Sequence, residues 1–350
     1  MRIIMYSDLH IKESSTYIGF NSIDGNGLSK ELNNFIRGIE FVKDSIMKLK
    51  PDIVFNLGDT VNIVDRLSIR ELMVLSKIKE IQDACDFLSI PHIILQGNHD
   101  IFSFSGLSSE DRIINSSEIS IGCILSNMCT QYVSQITDYT YNDVKFSLIP
   151  YLPVSKELIQ AYQDNGADII MTHNEFKGSV YENGINSDSS LSVTKKVPVF
   201  SGHIHKPQVT GNIRYVGSLI SIRFDRNIGP HGIGLYDTET KEYLQIENTY
   251  SRQYVKCKNL EELMQLDPDR YLIKLQTKES KDKVDEVLRD TNYIYVYMKE
   301  MERKKAVEMR YSIEKSQEPK EMLRAYLEEN CDESVVELYD SVMLGEDAEA

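Results

Sequence analysis

Short apolar segments alternate with long amphipathic ones through the first half of the chain, and this alternation constrains the fold more than any other feature. Ile3–Tyr6, Ile53–Leu57 and Ile93–Leu95 are brief and mostly apolar, which is typical of strands buried inside a sheet. Between them, Ser29–Lys48 and Ile69–Phe87 carry apolar residues at helical spacing. The pattern predicts a layered α/β fold in which helices separate the strands.

A second group of β-like segments follows in residues 132–250. The apolar runs shorten between Tyr132 and Pro150, and five further strands are then predicted: Ala167–Met171, Val197–Phe200, Ile213–Val216, Gly232–Tyr236 and Tyr243–Ile246. Two packed sheets flanked by helices would use all of these segments. We therefore predict an α/β two-sheet sandwich over residues 1–250.

The remaining hundred residues differ in pattern. Strand-like Arg270–Gln276 and Tyr293–Met298 flank a charged amphipathic segment, Lys278–Arg289, which predicts a small α/β module over residues 251–305. Residues 306–350 are predicted to form a helical tail. Two apolar stripes at helical spacing support this prediction: Met322, Leu323, Tyr326 and Leu327 in the first, and Val335, Leu338, Tyr339 and Val342 in the second.

Five of the seven histidines lie beside aspartate, asparagine, glycine or another histidine directly after predicted strands. The carboxyl ends of strands are where open α/β sheets build their binding sites. In chain order the pieces are Asp8-Leu9-His10, Gly58-Asp59, Gly97-Asn98-His99-Asp100, Thr172-His173-Asn174 and Gly202-His203-Ile204-His205.

The spacing of these pieces predicts a metal site. In an extended segment, side chains two residues apart point the same way, so Asp8 and His10 can converge on one ion, as can His203 and His205. Carboxylate, amide and imidazole ligands without thiolates favour manganese or iron, are compatible with zinc, and disfavour calcium. Seven candidate ligands are too many for one ion and suit two.

Each piece alone is weak evidence, because Asp-x-His and Gly-Asp are common by chance in loops and helix caps. The ordered combination of five such pieces, each after a strand, favours the metal site. His92 and His231 lie outside the series, and we predict packing or surface roles for them.

The series D-x-H, G-D, G-N-H-D, a lone H and G-H-x-H resembles that of the calcineurin-like metallophosphoesterases, over residues 1–250. Within that superfamily the chain is similar to the SbcD and meiotic-recombination type of nuclease subunit in DNA double-strand-break repair complexes. This finer similarity rests on Gly202–His205 followed by Arg214–Ser218, on the small module and on the tail. The short length is similar to that of compact forms in large phages and some bacteria.

The resemblance implies two divalent ions, most often Mn²⁺ with Mg²⁺ as the alternative, and His99 as the catalytic acid. Asp100 would orient His99 or the Asn98 loop, or simply belong to a turn. The implied ligands are Asp8, His10 and His205 for one ion, Asn98, His173 and His203 for the other, and Asp59 as the bridge.

One position departs from the resemblance. Many nuclease members have a histidine three residues after the bridging aspartate, where it helps to place the DNA backbone, whereas this chain has Asn62. The departure bears on exonuclease efficiency rather than on metal binding. Asn62, Lys206 and Arg223 are the candidate substrate contacts.

The charge balance limits how this chain could hold DNA. Lys and Arg number 39 against 54 Asp and Glu, a net charge of -15, whereas phosphate contacts normally need cations. Residues 301–350 carry 7 Lys and Arg against 14 Asp and Glu, so part of the excess lies in the tail. Two divalent ions would add positive charge where phosphate must sit.

The resemblance implies an SbcC-like coiled-coil ATPase as the partner, docked by the tail, in a heterotetramer that contains a homodimer of this chain. The amphipathic stripes of the tail also suit an ordinary helical pair packed on its own domain. The resemblance also implies DNA as the substrate, with the module at 251–305 as a DNA-binding cap. Two alternatives stay open at this point. One is a phosphoesterase of small phosphodiesters or phosphomonoesters, and the other is a non-catalytic scaffold.

The sequence also predicts a cytoplasmic protein. Five scattered cysteines without a CxxC pair indicate neither a disulfide framework nor a cysteine zinc site. The first apolar run is too short for a signal peptide, and no run approaches the roughly 18 residues of a membrane span.

Overall fold

Two six-stranded sheets form the centre of the molecule. In the first sheet β1, β2, β3 and β4 run parallel, and β11 pairs antiparallel with β1. The spatial order is β12, β11, β1, β2, β3, β4. The strands are β1 (Arg2–Tyr6), β2 (Ile53–Asn56), β3 (His92–Leu95), β4 (Gln131–Val133), β11 (Gly232–Asp237) and β12 (Tyr243–Glu247).

The second sheet has a parallel centre and antiparallel edges, in the spatial order β5, β6, β7, β8, β10, β9. Its strands are β5 (Thr137–Tyr141), β6 (Val144–Ile149), β7 (Ile169–Thr172), β8 (Val199–Ser201), β9 (Gln208–Thr210) and β10 (Ile213–Tyr215). This computed structural model describes residues 1–13, 23–62, 67–101, 121–164, 166–194, 196–224 and 230–300, together with 324, 327, 335 and 339.

The two sheets pack face to face, and helices cover their outer faces. On β1, Ile3 and Met5 point into the core between the sheets, together with Phe146 and Met171 of the second sheet. The helices are α1 (Lys30–Leu49), α2 (Ile69–Leu75), α3 (Ile78–Leu88), α4 (Gly122–Leu125) and α5 (Lys156–Asp164). Alternate residues of β1 point away from the second sheet and pack against α1 and α3. The predicted α/β two-sheet fold class is confirmed.

The single helix predicted over Ile69–Phe87 is wrong, because the chain forms two helices there. At the junction the hydrogen-bond pattern changes from four residues back to three, because the Lys77 N–H donates to Val74 O at 2.9 Å. The Ser76 hydroxyl also donates to Met73 O at 2.7 Å. A serine that bonds its own helix backbone competes with the regular i−4 pattern, which accounts for the break.

A three-stranded parallel sheet follows, with the order β13, β14, β15. Its elements are β13 (Gln253–Cys257), α6 (Leu260–Met264), β14 (Tyr271–Thr277), α7 (Lys281–Leu288) and β15 (Ile294–Lys299). The sequence patterns did not predict β13, α6 or β9. The Tyr254 ring stacks on Phe224 at a centroid distance of 4.9 Å, and its hydroxyl donates to Glu31 at 3.0 Å. The hydrogen bond attaches the module to α1, and the stacking attaches it to the segment that contains Phe224.

Contacts divide the chain into Met1–Glu300 and Met301–Ala350. In the second unit, Leu327, Val335 and Tyr339 are helical. The other residues of the two predicted stripes, Met322, Leu323, Tyr326, Leu338 and Val342, lie outside the described residues. The domain boundaries at 250 and 305, and the roles of cap and docking tail, stay predictions.

Within the described part of the chain, no helix has the length and apolar character needed to cross a membrane.

His92 is fully buried at the start of β3, with its Nε2 atom 2.9 Å from the Tyr6 hydroxyl. Burial lowers the pKa of His92 to about 3. His92 therefore becomes protonated below a pH of about 6.5 in the unfolded chain but stays neutral in the folded chain. Because the unfolded state binds this extra proton, the free energy of unfolding decreases as the pH falls from about 6.5 towards 3. Above a pH of about 6.5 the His92 ring is neutral in both states, and protonation no longer reduces the free energy of unfolding.

We expect the free energy of unfolding to drop by about 2 kcal/mol more in wild type than in His92→Gln between pH 7 and pH 5. Glutamine keeps a polar atom near Tyr6 and does not titrate. Urea titrations at the two pH values measure the difference. Equal losses in the two proteins would contradict a buried neutral imidazole.

Candidate metal centre

The five motif pieces meet at one edge of the two sheets. Asp8 and His10 follow β1, Asp59 follows β2, and Asn98 begins a short 3₁₀ turn after β3. The remaining pieces follow β7 and β8 of the second sheet and contribute His173, His203 and His205. Because these strands are parallel, their carboxyl ends share one edge of each sheet, and the side chains converge there.

The path of the backbone differs from the expected extended geometry. Asp8, His10, Asp59 and His203 have φ angles of 54°, 52°, 52° and 76°, in the left-handed region that non-glycine residues rarely adopt. The expectation that alternation along a strand aligns Asp8 with His10 is therefore wrong. Their strand ends at Tyr6, and strained turns aim both side chains instead. Strain of this kind clusters at functional sites.

Close backbone packing explains two of the glycines in the motifs. A Cβ atom on Gly97 would lie 2.2 Å from both the backbone nitrogen and Oδ1 of Asp59. A Cβ atom on Gly202 would lie 2.2 Å from Ser7 Oγ and 2.7 Å from Nδ1 of His173. A side chain at either glycine would push the loops apart and displace the residues that meet at this edge.

The first cluster contains Asp8, His10 and His205. The Nε2 atoms of the two histidines lie 3.0 Å apart, and each is within 3.9 Å of Asp8 Oδ1. The side chains of all three are at least nine-tenths buried. These three residues are the predicted ligands of one ion.

The second cluster contains Asn98, His173 and His203. Asn98 Oδ1 lies 2.9 Å from Nδ1 of His203 and 3.2 Å from Nε2 of His173. Asp59 touches both clusters: its Oδ2 atom is 3.2 Å from Nε2 of His173 and 3.5 Å from Nε2 of His10. The position of Asp59 between the clusters is the geometry that a bridging ligand requires.

The site fits divalent metal ions. The Oδ2 atom of Asp8 is buried and has no hydrogen-bond partner within the described residues, which is unusual for a buried carboxylate. Three groups of histidine and aspartate bring one donor atom per residue within 4.8 Å of one another. Oxygen and imidazole donors without thiolate suit a hard or borderline divalent ion. The assignment of individual ligands stays a prediction.

Burial and charge set the protonation of the cluster. Burial raises the pKa of Asp8 and lowers that of His10. In Asp59 and His173, burial alone would lower the pKa of the histidine and raise that of the carboxylate, but their mutual attraction outweighs burial. The Asp59 carboxylate raises the pKa of His173 to about 9, and His173 and His10 lower the pKa of Asp59. These opposite shifts favour an ion pair between Asp59 Oδ2 and His173 Nε2, which lie 3.2 Å apart.

His99 lies beside the clusters rather than inside either predicted ligand set. Its backbone N–H donates to Asp59 Oδ1 at 2.7 Å, and its ring meets the His10 ring edge to face at 4.7 Å. Its Nδ1 atom lies 2.9 Å from Asn62 Oδ1. Burial lowers the pKa of the half-buried His99 ring.

Asp100 holds the turn and does not hydrogen-bond His99. Its Oδ2 accepts from the Gly97 N–H at 2.9 Å, and its Oδ1 accepts from the Val61 N–H at 3.1 Å. Burial, and then the charge of Asp59, raise the pKa of Asp100 to about 7. Of the roles considered from the sequence, the geometry supports orientation of the Asn98 loop.

Two residues of the site were missed in the sequence. The ring of Tyr151 stacks on His203 at 6.0 Å, and the Oε1 atom of Glu182 lies 2.8 Å from Nδ1 of His205. Tyr151 follows β6, so its place at a strand end was a usable signal. Glu182 lies in the long connection between β7 and β8, where nothing in the sequence marks it.

The other candidate substrate contacts, Lys206 and Arg223, lie on the side of the site where His205 and Glu182 meet. Lys206 follows His205 directly and is half-buried, and the Arg223 side chain is exposed. Burial alone would raise the pKa of Glu182, but His205 and, to a smaller extent, Arg223 lower it to about 2. The substrate-binding roles of Lys206 and Arg223 stay predictions.

Comparison with known proteins gives a family match over most of the sandwich. A family model described as calcineurin-like phosphoesterase matches residues 1–207. The predicted phosphoesterase 078R of Invertebrate iridescent virus 3 is 25% identical over 236 residues, which cover 65% of this chain. The chain spans 61% of that relative's length.

Solved structures of low sequence identity were also found. The phosphoesterase YfcE of E. coli is 12% identical, with coverage of 70% of this chain and 97% of its own and a TM-score of 0.34. The nuclease MPE of Pseudomonas putida is 12% identical, with coverage of 69% and 87% and a TM-score of 0.28.

Proposed function

The chain belongs to the calcineurin-like phosphoesterase family of metal-dependent hydrolases. We propose that it is a two-metal DNA phosphodiesterase with exonuclease and endonuclease activity on DNA ends. The observation that carries the proposal is the position of Asp59, whose Oδ2 lies within 3.5 Å of a histidine in each cluster, with His99 beside it. The similarity of the motifs to the SbcD type supports DNA as the substrate.

The residues divide into ligands and an acid. Asp8, His10 and His205 would hold one ion, Asn98, His173 and His203 the other, and Asp59 both. Bound divalent ions supply Lewis-acid activation of water and neutralise the charge of the phosphodiester. Manganese is our proposal for both ions, with magnesium as the alternative.

His99 would give a proton to the departing sugar oxygen. The residue is tied to Asp59 through its backbone and remains outside both predicted ligand sets, so its ring can face a substrate. A positioned imidazole is a frequent general acid for such a step. The neutral ring then recovers its proton from solvent.

We propose that a coiled-coil ATPase of the SbcC type is the partner and that the acidic tail docks to it. The net charge of -15 supports the need for a partner, because a chain whose acidic residues outnumber its basic residues repels DNA phosphates and binds DNA weakly. A partner would supply positive surface along the DNA. The same resemblance underlies the proposal of a homodimer inside a heterotetramer.

We expect the purified chain with Mn²⁺ to cleave linear duplex DNA, and the co-expressed ATPase to increase the rate. End-labelled DNA on denaturing gels measures this activity, with bis(4-nitrophenyl) phosphate and 4-nitrophenyl phosphate as small substrates assayed in parallel. Cleavage of the small esters without cleavage of DNA would replace the nuclease by a small-substrate phosphoesterase. A protein that binds no manganese and cleaves nothing would be a scaffold.

A further inference from the structure

A cavity lies at the end of the sandwich opposite the candidate metal centre. Its volume of about 620 Å³ falls within the range of about 300–1,000 Å³ that is typical of small-molecule sites. Both sheets form its walls: Val199 begins β8 of the second sheet, and Tyr236 and Tyr243 belong to β11 and β12 of the first. Because His203 follows the other end of β8, the length of that strand separates the cavity from the predicted metal ligands.

Arg214 on β10 presents its positive charge to this cavity from a fixed position. Its Cζ atom lies over the Tyr243 ring, 4.1 Å from the ring centroid. The Tyr243 ring stacks on Phe200 at 6.0 Å, and its hydroxyl donates to Gln245 at 2.6 Å. Gly234 on the neighbouring strand leaves room for the ring, since a Cβ atom there would lie 2.6 Å from the Tyr243 hydroxyl. Packing and a hydrogen bond therefore fix the ring on which the guanidinium lies.

The lining of the cavity is positively charged although the chain is acidic. Of the described residues that line it, Lys196, Arg214 and Lys241 are basic, and only Asp168 is acidic. The Oδ2 atom of Asp168 already accepts from the Lys145 N–H at 2.9 Å. The contact with the ring face uses none of the five guanidinium N–H donors of Arg214, and within the described part of the chain no hydrogen bond or ion pair uses them. These cations suit a phosphate group, whose oxygen atoms accept from guanidinium and ammonium donors.

The rest of the wall suits the organic part of a ligand. Val197, Pro198 and Val209 line the cavity together with the cations, and the Val209 side chain is 55% exposed although it is apolar. A base that covers this apolar surface removes it from water, which favours binding. Inorganic phosphate would use the cations alone and leave the apolar wall exposed.

We propose that this cavity binds a mononucleotide, with its phosphate on Arg214, Lys196 and Lys241 and its base against Pro198 and Val209. The site is separate from the candidate metal centre, and its ligand is bound rather than cleaved. The inference therefore does not depend on the proposed phosphodiesterase function.

The first test is calorimetric titration of the full chain with adenosine or thymidine 5′-monophosphate, one purine and one pyrimidine, in EDTA. We expect wild type to bind at least one of them, and Arg214→Met to weaken that binding about 10- to 100-fold through the loss of charge-assisted hydrogen bonds. Arg214→Lys keeps the charge but loses the planar donor group, and its affinity should lie between those two. Arg270→Met is the matched control, because Arg270 is paired with Glu247 and does not line the cavity. Absence of binding to wild type, or wild-type affinity in Arg214→Met, would overturn the proposal.

A second variant tests the charge without altering the packing around Tyr243. Lys196 and Lys241 are exposed, so replacing both with glutamate should leave the melting temperature without nucleotide unchanged. We expect this double variant to bind the nucleotide at least about tenfold more weakly. If Arg214→Met fails to fold, the double variant decides the question, and wild-type affinity in it would overturn the assignment of the phosphate.

Competing ligands separate a nucleotide from other sources of phosphate. Inorganic phosphate should bind at least about tenfold more weakly than the nucleotide, because it leaves the apolar wall in water. Equal affinities would reduce the cavity to an anion site. A ten-residue oligothymidylate that binds more tightly than thymidine monophosphate, with the excess lost in Arg214→Met, would make the cavity part of a nucleic-acid surface. Either result would overturn the proposal.

A variant at the candidate metal centre tests whether the two sites are separate. His99→Gln changes a residue at the other edge of the sheets, so it should bind the nucleotide in EDTA as wild type does. Loss of binding in His99→Gln would place the nucleotide at the metal centre and overturn the proposal. If wild type binds the nucleotide but cleaves no phosphodiester, the proposed function fails and this inference stands.

Discussion

Replacing His99 with glutamine is expected to lower kcat on DNA by about 10²- to 10⁴-fold, the range lost when a general acid is removed. Glutamine is similar in size and polarity and leaves the backbone bond to Asp59 intact, but it cannot carry a transferable proton at neutral pH. We expect manganese content to stay at the wild-type level, because His99 lies outside both predicted ligand sets. Steady-state kinetics and elemental analysis of the same samples measure the two quantities.

His92→Gln is the matched control for this variant. His92 begins the strand that His99 follows, and it is buried against Tyr6 away from the clusters, so the same substitution there should leave kcat and metal content unchanged at pH 7. The donor atoms of His10, Asp59 and His99 lie within 4.8 Å of one another. Loss of an ion from His99→Gln would therefore make His99 a ligand instead of an acid, and undiminished kcat would remove it from the mechanism.

The sequence was a good guide to the core strands because burial on both faces leaves a clear signal. Ile53–Asn56 is fully buried, and the apolar run of its first three residues predicts a strand. The half-exposed β9 (Gln208–Thr210) has three residues and no such run, so it was missed. The break between α2 and α3 was also missed, because it depends on how Ser76 bonds locally and leaves the apolar periodicity intact.

The site was predictable as a set of residues but not as a geometry. Strand ends located the five motif pieces, since parallel strands must bring their carboxyl ends to one edge. The alternation of side chains along a strand could not predict where Asp8 and His10 point. Both residues lie beyond the strand and have backbone φ angles in the left-handed region. Glu182 reaches His205 across 23 residues of sequence, and only the folded connection shows that contact.

Pairs of opposite charges and neutral rings explain how the chain can bury so many polar groups at one edge of the sheets. Asp59 and His173 form an ion pair at 3.2 Å, and the burial that lowers the pKa of His203 to about 3 keeps that ring neutral. Glu182 lies 2.8 Å from His205 and forms a second pair of opposite charges. Paired charges and neutral neighbours cost far less than several unpaired charges in the interior.

Asp59→Asn is expected to abolish cleavage of DNA and to remove manganese from both sites. The amide keeps an oxygen of the same shape but loses the negative charge that lies 3.2 Å from His173 and 3.5 Å from His10, one histidine from each cluster. Two cations held close together need an anionic bridge to offset their repulsion. Elemental analysis after saturation with Mn²⁺ and gel filtration measures the metal per chain.

The melting temperature gives a second measurement of the same loss. Mn²⁺ at about 100 times its Kd should stabilise the wild type by about 2.7 kcal/mol per ion bound, and it should leave Asp59→Asn unchanged. Asp168→Asn is the matched control, because Asp168 precedes β7, at the opposite end of the strand from His173, where it accepts a hydrogen bond from the Lys145 N–H at 2.9 Å. Asp168→Asn should bind manganese as wild type does. If Asp59→Asn keeps one tightly bound ion and is stabilised by Mn²⁺, Asp59 serves a single site and does not bridge two.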